Sequence, residues 1–241
     1  MRADLSSVAP WLLPPTENFN RRPAPDLGWL LARVCPPKND VRAELLSRGF
    51  YCREAPRQPT LAGILARAAE LLASAPSLEG AVEAVVHEIV LLYARPAFDI
   101  SHSEPRWPST VFVSVPARPG ELSALRAVEN IIHEAMHLRL TIAEQTTPLV
   151  ADMAVKMNSP WRQEPRFVQG VLHGLFVFQC IADFFGVSAL SHCLGPEGHE
   201  YIKRRRAEIT QEVLCIDYDR LEAGLTPKGR KLVAALRQML P

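Results

Sequence analysis

Apolar positions recur at three- and four-residue steps along most of this chain, and alternation is confined to short runs, which predicts a mainly α fold with a small β element, an α+β arrangement. Helices are expected near 27–34, 40–48, 60–74 and 77–94, the last opened by Ser77 as N-cap after Pro76. Ala97 to Ile100 and Thr110 to Val115 read as short strands, joined by the polar segment Ser101 to Pro108. After the turn Pro119-Gly120, Glu121 to Gln145 holds neither Pro nor Gly and sets Leu122, Leu125, Val128, Ile132, Ala135, Leu138 and Thr141 in one stripe. Leu149 to Met157 is a further strand candidate. Pro165 to Phe185 reads as a strongly apolar, buried helix with Pro in its first turn, and helices near 197–222 and 227–239 follow, the second opened by Thr226-Pro227.

This pattern divides the chain into a Pro-rich arm over residues 1–26, a helical region over 27–96 and a catalytic region over 97–241, the last two forming one compact unit. A jelly-roll barrel would need many short alternating strands, and the pattern does not supply them. At 241 residues and 48% hydrophobic composition, the chain is long enough for one sizeable core. A net charge of +1 argues against a nucleic-acid surface, and the basic run Lys203 to Arg206 is expected on a solvated helix face. The five cysteines lack metal-knuckle spacing and read as reduced thiols. Pro10, Pro14 and Pro15 interrupt the early apolar residues, so neither a signal peptide nor a membrane span is expected, and a cytoplasmic location is.

The chemistry enters at His133-Glu134-Ala135-Met136-His137. Histidines at i and i+4 leave one face of a helix and can bind one ion without bending the backbone. A catalytic ion needs a third protein ligand and an open position. The extended peptidase pattern would place Gly at 140 and His at 143, where this chain has Leu140 and Ala143. Glu144 lies too far along the same helix to reach the ion, and Glu164 sits between Gln163 and Pro165. His173 is the better third ligand, and on the expected helix Arg166, Gly170 and His173 share a face, with Gly170 leaving room for a small ligand. The nitrogens of His133, His137 and His173 are therefore expected to converge on one point.

The HExxH motif, the segment Ser159-Pro160-Trp161-Arg162, the Arg after Pro165 and the element Gly170-Val171-Leu172-His173-Gly174 together resemble the HExxH-type 2-oxoglutarate-dependent peptide β-hydroxylases, which modify ribosomally made peptides. The resemblance covers roughly residues 98 to 190, and Phe167 departs from the Pro expected after the Arg. It implies that His133, His137 and His173 hold Fe(II), that 2-oxoglutarate chelates the iron, and that an Arg pairs with its far carboxylate. Arg166 is the first choice for that clamp and Arg162 the alternate, since a planar guanidinium matches a carboxylate bidentately. The substrate would be a precursor peptide, O2 the co-substrate, and a separate leader-peptide-binding partner is compatible with the absence of a recognisable leader-binding module. Trp107, in the connection before the metal helix, is a candidate contact to the peptide. A zinc-dependent peptidase with Glu134 as general base on metal-bound water stays open beside this reading. In the oxygenase Glu134 would orient a ligand or touch substrate. A helical peptide-recognition protein without catalysis is the third class.

Overall fold

The computed structural model describes residues 28–54, 59–95 and 98–239, so the N-terminal arm lies outside the described residues. The elements in chain order are α1 (Trp29–Ala32), α2 (Asn39–Ser47), α3 (Pro59–Ala73), α4 (Pro76–Val85), β1 (Glu88–Leu92), β2 (Ser101–Ser103), β3 (Thr110–Ser114), α5 (Glu121–Thr146), β4 (Lys156–Ser159), β5 (Glu164–Phe167), α6 (Val168–Phe184), α7 (Ser188–His192), α8 (Pro196–Leu214), α9 (Tyr218–Ala223) and α10 (Pro227–Gln238). The molecule is mainly helical with a small β component. No described helix is long and apolar enough to cross a membrane.

α5 is the central helix. Gly120 begins it at φ +147°, a conformation that L side chains rarely adopt, which suits the glycine of the expected turn. Leu125, Val128, Ile131, Ile132, Ala135 and Met136 are fully buried, and the helix packs against α3, α4, α6, α8 and the sheet. A helix enclosed on most sides cannot show a single narrow apolar stripe. The main core contains residues from Trp29 to Met239 and so joins the N-terminal helices to the rest. A smaller cluster, Val41, Leu45, Val90, Leu92 and Phe112, packs α2 onto β1 and β3.

Several expected boundaries move. The helix expected over 77–94 ends at Val85, and Ile89-Val90-Leu91-Leu92 forms β1, paired in parallel with β3. Both faces of β1 are covered, so its apolar run is continuous, and periodicity cannot separate such a run from a buried helix. His87 therefore sits in the turn before β1, not on a helix. The sheet order is β1-β3-β2, with β2 antiparallel to β3 and displaced from the expected strand to Ser101–Ser103. Of the 149–157 candidate, Lys156 and Met157 enter β4, which pairs with β5 in a hairpin. That hairpin takes Pro165 to Phe167 away from the expected helix, so α6 starts at Val168. The helix expected over 197–222 divides into α8 and α9, and α7 was not expected.

Candidate metal centre

Two helices bring the histidines together. α5 presents His133 and His137 one turn apart, with Nε2 atoms 3.2 Å from each other. Two ligands at about 2.1 Å from one ion, subtending about 100°, would stand about 3.2 Å apart. His173 comes from α6, its ring stacked on that of His137 at a centroid separation of 5.6 Å, with Nδ1 3.4 Å from Nδ1 of His137. The three rings are thus neighbours, but the expected convergence is not what they adopt. His137 turns Nε2 to His133 and Nδ1 to His173, and one imidazole cannot offer both nitrogens to one ion. Among the described residues, no group of three or more His, Cys, Asp or Glu side chains is arranged to hold a metal as it stands.

The far nitrogen of His173 explains the arrangement. Nε2 lies 2.9 Å from Oε2 of Glu144, and the Gln169 side-chain amide donates to the same oxygen at 2.9 Å. Glu144 is two helical turns beyond His137 on α5, so it cannot reach an ion held there, yet it reaches the other side of the third histidine. One proton assignment satisfies every contact: His133 Nε2–H donates to His137 Nε2, His137 Nδ1–H to His173 Nδ1, and His173 Nε2–H to Glu144. All three rings are then neutral.

For His133 and His137 the electrostatics agree with a neutral ring. Burial pushes His133 down to about 4, and the positive charges of Arg205 and Arg162 add to the effect. Burial likewise lowers His137 well below the ordinary imidazole value, with His133 and His173 contributing. For Glu144, burial would raise the carboxyl, but the hydrogen bonds from His173 and Gln169 outweigh it and the net shift is downward. The donor set itself suits a first-row divalent ion: neutral imidazoles, one of them backed by a carboxylate.

Glu134 faces the same space. It is 3% exposed, Ser103 Oγ donates to its Oε2 at 2.8 Å, and its Oε1 lies 3.9 Å from His133 Nε2. Burial raises its carboxyl to about 7 against the lowering effect of hydrogen bonds from Ser101 and Ser103. Ser101 and Ser103 alternate with His102 along β2, so both hydroxyls face α5 while His102 stacks between Phe50 and Phe112.

A cleft of about 330 Å³ opens over the cluster, lined by β2 and the residues after it, by His133, Glu134, His137, Leu138 and Thr141 of α5, and by His173 and Arg162. Arg162 stands in the turn between β4 and β5, where Gln163 adopts φ +52° to close the hairpin. Its neighbour Trp161 lies over Gly174 of α6 and stacks on Phe178 at 5.1 Å, and Phe178 in turn meets the edge of His133. Arg162 is exposed where it lines the cleft and has no carboxylate or hydrogen-bond partner among the described residues.

The remaining expected site residues lie elsewhere. Arg166 is on β5, opposite Met157, and is 46% exposed in an ion pair with Glu164 at 2.9 Å. It shares no helix face with His173, because the hairpin precedes the helix. Gly170 is on α6 but exposed, with open space about its Cα, and does not line the cleft. Trp107 packs edge-on against Phe112 under the Arg106 guanidinium and lines a separate cavity of about 490 Å³ with Lys38, His87 and Glu88. The basic run is not uniformly solvated: Arg205 turns inward, binds Glu129 at 2.7 Å and lies over Phe178.

Sequence reasoning passed over Glu144 as anything but a ligand, and missed Gln169, Ser101, Ser103 and Arg205. A seven-residue step from His137 to Glu144 was a signal for the first, since it returns to the same helix face. No family model matches this chain, and no curated protein matches it.

Proposed function

We propose that this protein is an Fe(II)- and 2-oxoglutarate-dependent oxygenase that hydroxylates a β-carbon of a residue in a ribosomally made peptide. The observation that supports the reading is a cleft lined by three neighbouring imidazoles and by the Arg162 guanidinium, which has no carboxylate partner among the described residues. His133, His137 and His173 would hold the iron, which supplies O2 activation when bound. In the overall reaction 2-oxoglutarate, O2 and the peptide C–H become succinate, CO2 and the peptide C–OH.

Arg162 takes the part of the carboxylate clamp, because it lines the cleft while Arg166 is engaged with Glu164. Its planar fork offers two parallel donors to a carboxylate and remains charged at any working pH. Glu134 and its serine partners hold a polar wall against the reacting carbon. The rim formed by β2 suits an extended peptide. Ser114 N–H donates to Ile100 C=O, so the alternation of an antiparallel ladder turns the main-chain groups of Ser101 and Ser103 away from β3, toward the open edge. That edge can add a strand of substrate. A precursor peptide presented by a separate leader-binding partner, in the cytoplasm, completes the reading.

Succinate formation with Fe(II), 2-oxoglutarate and a candidate peptide tests it. Arg162→Lys should weaken co-substrate affinity strongly while Arg166→Lys stays near wild type, and metal binding should survive both. No 2-oxoglutarate binding by the wild type would remove the proposal.

One observation favours a second reading, a zinc-dependent peptidase. Glu134 is a buried carboxyl beside His133 whose pKa, about 7, is matched to general-base work on metal-bound water. Under that reading Glu134→Gln abolishes activity and 2-oxoglutarate is irrelevant.

A further inference from the structure

We infer that Glu144 is a positioning residue that commits His173 to offer Nδ1, and not Nε2, to a metal ion bound in this cleft. The inference rests on the His133, His137 and His173 ligand set of the proposed function, but not on iron, 2-oxoglutarate or turnover.

A neutral imidazole has one protonated nitrogen and one lone pair, and the stronger hydrogen bond decides which is which. For His173 the choice is set from outside the cluster. Glu144 accepts at 2.9 Å from Nε2, and Gln169, one turn earlier on α6, donates to the same carboxylate oxygen. Gln169 thereby ties that oxygen to the helix that carries His173. An Nε2–H donated to a carboxylate is a charge-assisted bond, stronger than a bond between two neutral imidazoles. The lone pair is left on Nδ1, the nitrogen that faces His137 at 3.4 Å. His137 turns Nδ1 to His173 and Nε2 to His133, so shared ligation of one ion requires the His137 ring to turn, while Nδ1 stays the free nitrogen of His173.

Both helices contribute to this one contact. Glu144 shares α5 with His133 and His137, so a single rigid element carries two imidazoles and the carboxylate that orients the third. Sliding or rotating α6 against α5 would break the His173–Glu144 bond as well as the ring stack. The packing of the two helices is thus coupled to which nitrogen is available.

The test uses the full chain with 15N-labelled histidine, in long-range 1H–15N correlation spectra, first without metal and then with Zn(II). Wild type should show His173 protonated on Nε2 in the absence of metal. With Zn(II), Nδ1 should shift as a ligand while Nε2 keeps its proton. Glu144→Ala should lose the fixed tautomer and weaken Zn(II) affinity about 10- to 100-fold, the range typical of losing an orienting partner. Glu144→Gln, which preserves shape and an acceptor oxygen, should retain the tautomer with a smaller loss, and far-ultraviolet circular dichroism confirms that each variant is folded. Ligation of Zn(II) through Nε2 of His173 in wild type would overturn the inference, as would an unchanged Zn(II) affinity in folded Glu144→Ala. A protein that binds Zn(II) through Nδ1 but never consumes 2-oxoglutarate would refute the oxygenase and leave this inference standing.

Discussion

Replacing Gly174 by Ala separates two opposed effects at one atom. In a helix interior the change should stabilise by about 1 kcal/mol, because glycine is the poorer helix former. In this protein the added methyl would stand 2.6 Å from two carbons of the Trp161 indole, closer than side-chain carbons approach. Either the indole leaves its stack on Phe178 or the β4–β5 turn shifts. Loss of an aromatic pair costs about 0.5–1.5 kcal/mol beyond its buried area, and overpacking typically costs about 1–3 kcal/mol. The clash should outweigh propensity, giving a net destabilisation of about 1–2 kcal/mol and a fall in Tm of about 2–8 °C for a domain of this length. Thermal unfolding of the metal-free protein measures it. The decisive comparison is a double-mutant cycle with Trp161→Ala, in which Gly174→Ala should become neutral or stabilising because the indole is gone. If Gly174→Ala raised Tm in the wild-type background, or lowered it equally without the indole, the close-packing account would be refuted. Arg162 adjoins Trp161, so under the oxygenase reading the single variant should also weaken 2-oxoglutarate binding while Zn(II) affinity stays within about twofold, on the ground that positioning errors of about 1 Å are costly.

Glu134→Gln should stabilise the metal-free protein at pH 8 and leave it nearly unchanged at pH 4. The carboxyl titrates near 4.5 when unfolded and at about 7 when folded, so its buried charge costs stability increasingly as pH rises through that window, by about 3 kcal/mol at most. His133 contributes the opposite slope at lower pH: with a folded value of about 4, it binds a proton more readily when unfolded, so stability falls as pH drops from about 6.5 toward 4. His133→Gln should flatten that part of a Tm–pH curve. Glu121→Ala should cost about 1–3 kcal/mol in denaturant unfolding, because its carboxylate accepts from the Gly195 and Gly198 amides at 2.9 and 2.8 Å and so satisfies the start of α8. Zn(II) affinity should be unaffected by that change.

What could be read from the chain was local, and what could not depended on partners distant in sequence. The spacing of His133, Glu134 and His137 on a long helix after Gly120 needed only helical periodicity, and α5 spans Glu121–Thr146 against the expected Glu121 to Gln145. The boundary at α6 failed because Arg166 and Phe167 have no periodic signature of their own. They become strand residues only by pairing with Met157 and Lys156. β1 failed for a related reason, since an apolar run covered on both faces by α2 and the main core carries no alternation. Ser101 and Ser103 fall in the polar segment expected to join two strands, whereas β2 turns them onto Glu134, 31 residues beyond Ser103. Glycine reading erred in the same way: Gly170, chosen as space for a ligand, is exposed, and Gly174 is the one that a side chain fills.

The charge balance in the cleft bears on the choice between the two enzyme readings. In the proposed ligand set three neutral imidazoles would leave the charge of a divalent ion uncompensated, unlike a set that includes a carboxylate. Glu144 does not join that set, because it lies on the far side of His173. Arg162 adds another positive charge with no anionic partner among the described residues, and burial raises the Glu134 carboxyl to about 7. Such a site gains most by binding a ligand that brings two negative charges, one near the ion and one at the guanidinium. A neutral peptide amide would leave both charges unmet. The expected outcome is that 2-oxoglutarate binds the Zn(II)-loaded protein without peptide, and that glutarate, which keeps both carboxylates but lacks the chelating oxo group, binds more weakly. The same titration on Arg162→Ala should lose at least about tenfold, a charged hydrogen-bonded contact contributing about 1.5–3 kcal/mol. Equal affinity of wild type and Arg162→Ala for 2-oxoglutarate, measured by calorimetry, would detach the guanidinium from co-substrate binding, and no binding by either protein would favour the peptidase reading.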